Sequence, residues 1–334
     1  MFIVKDYTIA ILFCIITMLC WGSWANTQKL ASKQWRFELF YWDYVLGMLL
    51  LSFIGAITMG SIGDEGRSFM DDLRQVKLSN LTSAFIGGII FNAANILLTA
   101  AISIAGMAVA FPIGIGLALV LGVILNYEPN ISGNPYFLFT GVFLVVIAII
   151  LNARAYQIKN KGSVQKSIKK GIIISIVAGL LMSLFYRFVA KSMDLENFIQ
   201  PEAGKMTPYT AFFIFSLGVF LSNFIFNTII IYKPFSGSPT SYKAYFNGKL
   251  SNHIPGIIGG VIWAVGNLFN LIAAGQAGAA ISYGLGQGAT MVAAFWGIIV
   301  WKEFKGFERE TNTLLILMFV LFFVGLASII YAGN

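Results

Sequence analysis

Ten stretches of about 20 apolar residues, separated by short polar connectors, constrain this chain more than any other feature of its sequence. Crossing a hydrocarbon core ~30 Å thick takes about 20 residues of helix. The runs cover residues 8–30, 38–60, 82–104, 107–126, 136–155, 169–191, 209–232, 254–274, 278–301 and 313–332. Composition agrees. Of 334 residues 58% are hydrophobic and 11% charged, with a mean hydropathy of +0.80, whereas globular proteins are about a quarter charged. The expected fold class is an all-α integral membrane protein of ten transmembrane helices, with no soluble domain to carry separate chemistry.

The net charge of +8 does not point to nucleic acid, because Lys and Arg sit in short clusters between apolar runs rather than on one basic face. Cys14 and Cys20 are six residues apart in the first run, on different sides of a helix, and imply neither a disulfide nor a metal pair. That run follows Lys5 as a secretory signal would, but it continues through CWGSW without a small-residue cleavage site. It is read as a retained first helix.

An internal repeat organises the runs. Residues 87–116, GGIIFNAANILLTAAISIAGMAVAFPIGIG, align without gaps on 259–288, GGVIWAVGNLFNLIAAGQAGAAISYGLGQG, with ten identities that include Asn95 with Asn267, Gly106 with Gly278 and Gly114 with Gly286. Trp24 and Lys29 align more weakly with Tyr186 and Lys191. Five helices separate corresponding elements, and because five is odd the second copy must enter the membrane from the opposite side. The expected architecture is two inverted five-helix repeats, 1–155 and 169–334, joined by a basic linker at 156–168. Assigning the loops alternately puts fifteen Lys and Arg on one side, among them Arg154, Lys159, Lys161, Lys233, Lys243 and Lys249, and seven on the other, Lys5, Arg67, Arg74, Lys77, Arg187, Lys191 and Lys205. The richer side is expected to be cytoplasmic, which places both termini outside.

Several side chains within the runs could carry a polar solute. Trp21, Trp24 and Gln28 recur at i, i+3 and i+7, two aromatic faces and an amide on one stripe, suited to stacking a flat polar ring; the alternative is an interfacial aromatic belt. Asn92, Asn95 and Thr99 share one face of the third helix, and Trp263, Asn267 and Asn270 share one face of the eighth. Neutral amides both donate and accept, which suits amide-bearing or hydroxylated solutes; the alternative is interhelical hydrogen bonding, the class expected for Asn223 and Asn227. Where the first copy has Phe111, Pro112 and Ile115, the second has Tyr283, Gly284 and Gln287, so the second half offers more polar specificity. Pro112 can kink the fourth helix.

An acidic residue at a helix centre costs ~2.5 to 3.5 kcal/mol to insert and so marks a cavity, a partner or a proton path. Asp43 lies deepest in an apolar run and is the candidate for proton coupling, with Lys29 as its partner; Glu38 lies nearer the interface. The alternative pairs Asp43 structurally with Lys29 or Arg36. His253, the only histidine, is expected at a loop-to-helix boundary as a surface residue. With one histidine, two unpaired cysteines and no HExxH, neither a zinc site nor a Ser-His triad assembles, and Gly284–Gly288 lacks the spacing of a dinucleotide fingerprint. No metal, cofactor or enzymatic activity is expected.

CWGSWANTQKL in the first helix, FELFYWDY opening the second and the ten-run pattern resemble the ureide permease family of the drug/metabolite transporter superfamily, over most of the chain. The ten-run pattern alone is also that of bacterial glucose, ribose and rhamnose uptake proteins. The resemblance implies proton-coupled uptake of allantoin and related heterocycles such as uracil. Plant members carry a long central loop with a nucleotide-type motif, whereas residues 156–168 here form only a short basic linker, which removes any case for ATP binding. The expected protein is a secondary transporter of a small polar solute in a bacterial inner membrane, or a eukaryotic plasma membrane. Its partners are the solute, protons and the lipid bilayer. A sugar symporter, an exporter of the same fold and, more remotely, an intramembrane enzyme stay open; oligomeric state is not legible.

Overall fold

The computed structural model describes every residue except 32–34, 106, 129–132, 160–165, 236, 303–308 and 334, and the side chains of 29, 103, 107–109, 111, 112, 159, 166–168, 309 and 310 lie outside the description too. Among the described residues every regular element is a helix. Tyr7–Ser23 (α1) is followed across a two-residue turn by Asn26–Leu30 (α2), then Phe37–Ile57 (α3), Phe69–Gln75 (α4), Leu78–Ala105 (α5), Met107–Asn126 (α6) and Pro135–Lys159 (α7). Lys166–Ser192 (α8), Pro208–Tyr232 (α9), Tyr242–Phe246 (α10), Leu250–Ala277 (α11), Ala279–Gly286 (α12), Ala289–Phe295 (α13), a π-helical turn at Trp296–Val300 and Arg309–Ala332 (α14) complete it.

Among the described residues nine helical stretches are long and apolar enough to cross a membrane, from Tyr7–Gln28 to Thr311–Ala332. The fourth expected run, 107–126, contributes the shorter apolar stretch Ile113–Asn126, because the side chains before it are largely outside the description. The chain is a multi-pass membrane protein. The ninth run, expected over 278–301, is the span Ala279–Val300, interrupted by a two-residue turn at Gln287–Gly288 between α12 and α13 and loosening into the π turn at its end; closely spaced glycines at 284, 286 and 288 weaken helix there. α7 runs to Lys159 and α8 starts at Lys166, both within the expected 156–168 linker. Two connectors hold helices of their own. In α4, Ser68 caps the first turn by accepting from the Asp71 amide at 3.4 Å, and buried Asp72 accepts from the Thr207 amide at 2.8 Å while pairing with Arg67 at 3.1 Å, which docks the connector on the start of α9.

Small residues set how the helices meet, as expected where lipid supplies no hydrophobic drive between them. α5 lies along α8 and crosses α9; α11 lies along α1 and crosses α3; α6 packs on α8 as α12 and α13 pack on α1; and α7 packs on α14. At the α5–α9 crossing Gly88 faces the Phe215 carbonyl and Gly218 faces the Phe85 carbonyl, so closely that a Cβ on either would overlap the oxygen. At the α3–α11 crossing Gly260 meets the Tyr44 carbonyl and Gly47 the Ile257 carbonyl in the same way, and Gly141 and Gly325 face each other's carbonyls between α7 and α14. These contacts carry the backbones of α3 and α11 close enough for their polar side chains to meet.

Candidate functional site

A small cavity lies where α1, α5, α6, α8, α11 and the α12–α13 break converge. Its volume is ≈ 50 Å³, room for a few waters. Five of the residues expected to bind substrate line it: Trp21, Trp24, Asn95, Trp263 and Gln287. The Trp21 and Trp263 rings are nearly parallel, 10° apart with centroids at 5.9 Å. Phe91 lies against Trp263 at 4.5 Å and Phe185 backs Phe91 at 5.1 Å. Trp24 leans on Tyr44 at 4.8 Å. The result is an aromatic box with a few polar edges.

Those edges differ in how far they are already engaged. The Trp21 indole N–H is buried without a hydrogen-bond partner among the described residues. Asn95 donates to the Tyr41 hydroxyl at 3.2 Å, and that hydroxyl in turn donates to Asn92 Oδ1 at 3.0 Å. Gln287 sits at the break in the ninth span, its backbone N–H still donating to the Tyr283 carbonyl at 3.1 Å, while no described residue bonds its side-chain amide. A ligand placed between the rings therefore meets two aromatic faces and the Gln287 amide, with the Asn95–Tyr41 pair at one side.

The other predicted residues lie elsewhere. Asn92 is an interhelical tie, donating to the Val219 carbonyl at 3.2 Å and to the Ser222 hydroxyl at 2.9 Å on α9. Asn270 donates to the Ser282 carbonyl at 2.7 Å, and Asn267 is buried away from the cavity lining; both have an Oδ1 with no described partner. Gln28 is half-buried on α2, outside the lining. Asn227 donates to the Glu38 carbonyl at 2.8 Å, in keeping with an interhelical role.

Tyr283 belongs to a plug. A wider space of ≈ 430 Å³ opens at one end of the bundle, lined by Arg187, Lys191, Asp194, Glu202 and Lys205 among others. Along α6, α8 and α12 the cavity residues Ile115, Met182 and Gln287 are separated from the vestibule residues Asn126, Arg187 and Ala279 by a fully buried layer that includes Tyr186, Ser282 and Tyr283. The Tyr186 and Ser282 hydroxyls are 3.0 Å apart, and Tyr283 donates to the carbonyls of Met182 at 3.2 Å and Ala118 at 3.3 Å. A buried layer of described residues thus stands between the cavity and that vestibule.

Around Asp43 the structure differs from expectation. Asp43 is 1% exposed, and its Oδ1 accepts from the Tyr245 hydroxyl at 2.6 Å and lies 2.8 Å from His253 Nδ1. Asp43 Oδ2 has no described partner. His253 is thus no free surface residue: it lies in the first turns of α11, and Trp35 meets its ring edge-on at 4.8 Å. Burial, then the hydrogen bond to Asp43, raises the Tyr245 phenol above its usual range, so it acts as a donor. Lys29, expected as partner to Asp43, has its side chain outside the described residues. Glu38 is buried and held by Arg36 at 2.5 Å. Reasoning from sequence missed His253 and Tyr245, along with Phe91 and Phe185. Phe91 was legible as the aligned counterpart of Trp263.

Among the described residues no cluster of three or more His, Cys, Asp or Glu side chains could hold a metal. A family model described as ureide permease matches residues 40–170 and 156–332. The chain is similar to ureide permease 1 of Arabidopsis thaliana, 27% identical over 98% of this chain and 97% of that protein, and to ureide permease 2 of the same plant, 25% identical over 98% of each. It is more distantly similar to a probable glucose uptake protein of Bacillus cereus, 23% identical over 66% of this chain and 68% of the other. A solved crystal structure shares the fold with a TM-score of 0.61 at 13% identity, covering 96% of this chain and 95% of that one.

Proposed function

The chain belongs to the ureide permease family, and we propose that it carries ureides across a membrane by alternating access around the aromatic cavity, driven by protons. It is a transporter, and its substrate class follows from the family and from the permeases it resembles. The cavity itself carries the reading at the level of residues: near-parallel Trp21 and Trp263 rings with the Gln287 amide, to which no described residue bonds, on the same lining. A ureide is a compact urea derivative rich in N–H donors and carbonyl acceptors, and such groups match an amide beside aromatic faces.

A ring inserted between the two indoles needs two van der Waals gaps, about 7 Å in all. At 5.9 Å the rings are too close, so loading requires the two halves to part. Two features support halves that are inverted five-helix repeats within a ten-span bundle. Exchanging each helix for the one five spans later turns the α5–α9 crossing into the α11–α3 crossing, and Gly88 and Gly260, which occupy aligned positions, perform the same task in each. Aligned positions of the two copies also meet at the cavity, Ile115 with Gln287 and Phe91 with Trp263. The break at Gln287–Gly288 fits the discontinuous helices that transporters use at midplane sites.

The orientation we propose follows the Lys and Arg asymmetry of fifteen to seven, with the 156–168 and 233–249 connectors cytoplasmic and both termini outside; a bacterial inner membrane suits such a chain. Asp43, buried in a span, is the carboxylate around which we place the proton-coupling site. The test is direct. Purified protein in proteoliposomes with an inward proton gradient is expected to accumulate labelled allantoin above the level of protein-free vesicles, and to leave labelled glucose unconcentrated. Accumulation of glucose without allantoin would overturn the substrate assignment, and Asp43→Asn with undiminished allantoin accumulation would remove Asp43.

A further inference from the structure

Asp43 is not isolated. Its Oδ1 is shared by Tyr245 at 2.6 Å and by His253 Nδ1 at 2.8 Å, while its Oδ2 stays buried and unpartnered among the described residues. Gly256, one turn along α11 from His253, leaves room for the Asp43 side chain, since a Cβ there would overlap it. Nδ1 faces the carboxylate, so the neutral imidazole that best satisfies this geometry carries its hydrogen on Nδ1 and a lone pair on Nε2. Nε2 points at the connector between α10 and α11: a Cβ on Gly248 would stand 2.7 Å from it. The His253 side chain is 17% exposed against 1% for Asp43, so one member of the pair is open at the surface of the bundle and the other is not.

We propose that His253 is the group that takes up and releases the coupling proton, with Asp43 and Tyr245 as positioning residues that hold its tautomer and compensate its charge. The step balances simply. One proton from water binds the Nε2 lone pair of neutral His253, the Nδ1–H bond to ionised Asp43 persists, and the net charge of the pair goes from −1 to 0; release reverses it. Imidazole is the side chain that ordinarily changes charge between pH 5 and 8, and a neutral ion pair is easier to keep among apolar helices than a lone carboxylate.

The pair sits where its charge can be felt at the cavity. It joins α3 to α11 and α10, and on the same two long helices Tyr44 packs on Trp24 at 4.8 Å and on Trp263 at 6.5 Å. Few other ionisable groups compete. From α3 there is Glu38, held by Arg36; from α10, Tyr245, with Lys243 exposed; Lys249 at the start of α11 is exposed. α9 presents the amides Asn223 and Asn227, and the Lys29 side chain of α2 lies outside the description.

This inference rests on the proton-coupled reading of transport, and the experiment separates the two. His253→Asn places an amide N–H where Nδ1 was and removes the titrating nitrogen. In proteoliposomes the variant is expected to keep exchange of labelled for unlabelled allantoin with no gradient, and to lose concentration driven by an inward proton gradient, its accumulation ratio falling to about one. A variant that concentrates like the parent overturns the role of His253. A parent that exchanges but never responds to the gradient overturns proton coupling itself, and this inference with it. A second measurement needs no variant. Because His253 is the only histidine, ¹⁵N-histidine labelling of protein carrying a histidine-free tag gives one imidazole signal. Binding linkage requires that allantoin shift its titration midpoint if proton and substrate are coupled through it; a midpoint unmoved by saturating allantoin overturns the proposal.

Discussion

At the scale of single residues, the two kinds of amide in this bundle separate by what already satisfies them. Gln287 has no described side-chain partner and faces the cavity, whereas Asn92 bonds Tyr41, Val219 and Ser222 at once. A net hydrogen bond is worth about 0.5 to 1.5 kcal/mol and 1.4 kcal/mol is tenfold in affinity. Gln287→Leu is therefore expected to raise the KM for allantoin about three- to tenfold while leaving the thermal unfolding temperature of the detergent-solubilised protein in place. Asn92→Leu is expected to do the reverse, lowering stability by about 1 to 3 kcal/mol through unpaired buried partners with little change in KM. If Gln287→Leu alters stability and not KM, the amide is structural. Sequence spacing put both residues in one group because 3.6-residue periodicity says which residues share a helix face, not which neighbour occupies it. The same limit hid His253: it lies 210 positions from Asp43, and only the register of the α3–α11 crossing brings them together.

At the scale of elements, nine spans were legible because bilayer thickness fixes their length, and the expected 209–232 and 38–60 coincide closely with Pro208–Tyr232 and Phe37–Ile57. The break in the ninth span was not. Its glycines read equally as packing residues, and nothing in the apolar count distinguishes a continuous helix from two short ones joined at Gln287–Gly288. The glycines at the crossings make a sharper statement. Gly88→Ala and Gly260→Ala each drive a methyl into a backbone carbonyl on the facing helix, and overpacking of this kind costs about 1 to 3 kcal/mol or more. Both variants are expected to unfold earlier on heating and to give less monodisperse protein. Gly116→Ala is the control, since its nearest neighbour, Ile149, stands at 3.6 Å, ordinary contact. Equal behaviour of all three would show that the crossings tolerate separation.

At the scale of the whole molecule, the buried layer of Tyr186, Ser282 and Tyr283 and the charged vestibule beyond it give the bundle a direction. The vestibule carries Arg187, Lys191 and Lys205, which the proposed ten-span arrangement puts on the side poorer in basic residues, with Lys243 on the richer side. If the richer side is cytoplasmic, the layer stands between the cavity and the outside, and the solute next moves inward when the Trp21 and Trp263 rings part. Accessibility decides the orientation. In a background with Cys14→Ala and Cys20→Ala, single cysteines at the exposed positions Lys191 and Lys243 can be challenged in intact cells with a membrane-impermeant maleimide. Lys191→Cys is expected to label at once, and Lys243→Cys only after the cells are permeabilised. The opposite pattern would invert the bundle, turn the vestibule toward the cytoplasm and place His253, reached through the Gly248 turn, on the outer face. In that case the same pair would load its proton where the solute is collected rather than release it where the solute is delivered, so the labelling result also fixes which half of the cycle His253 serves.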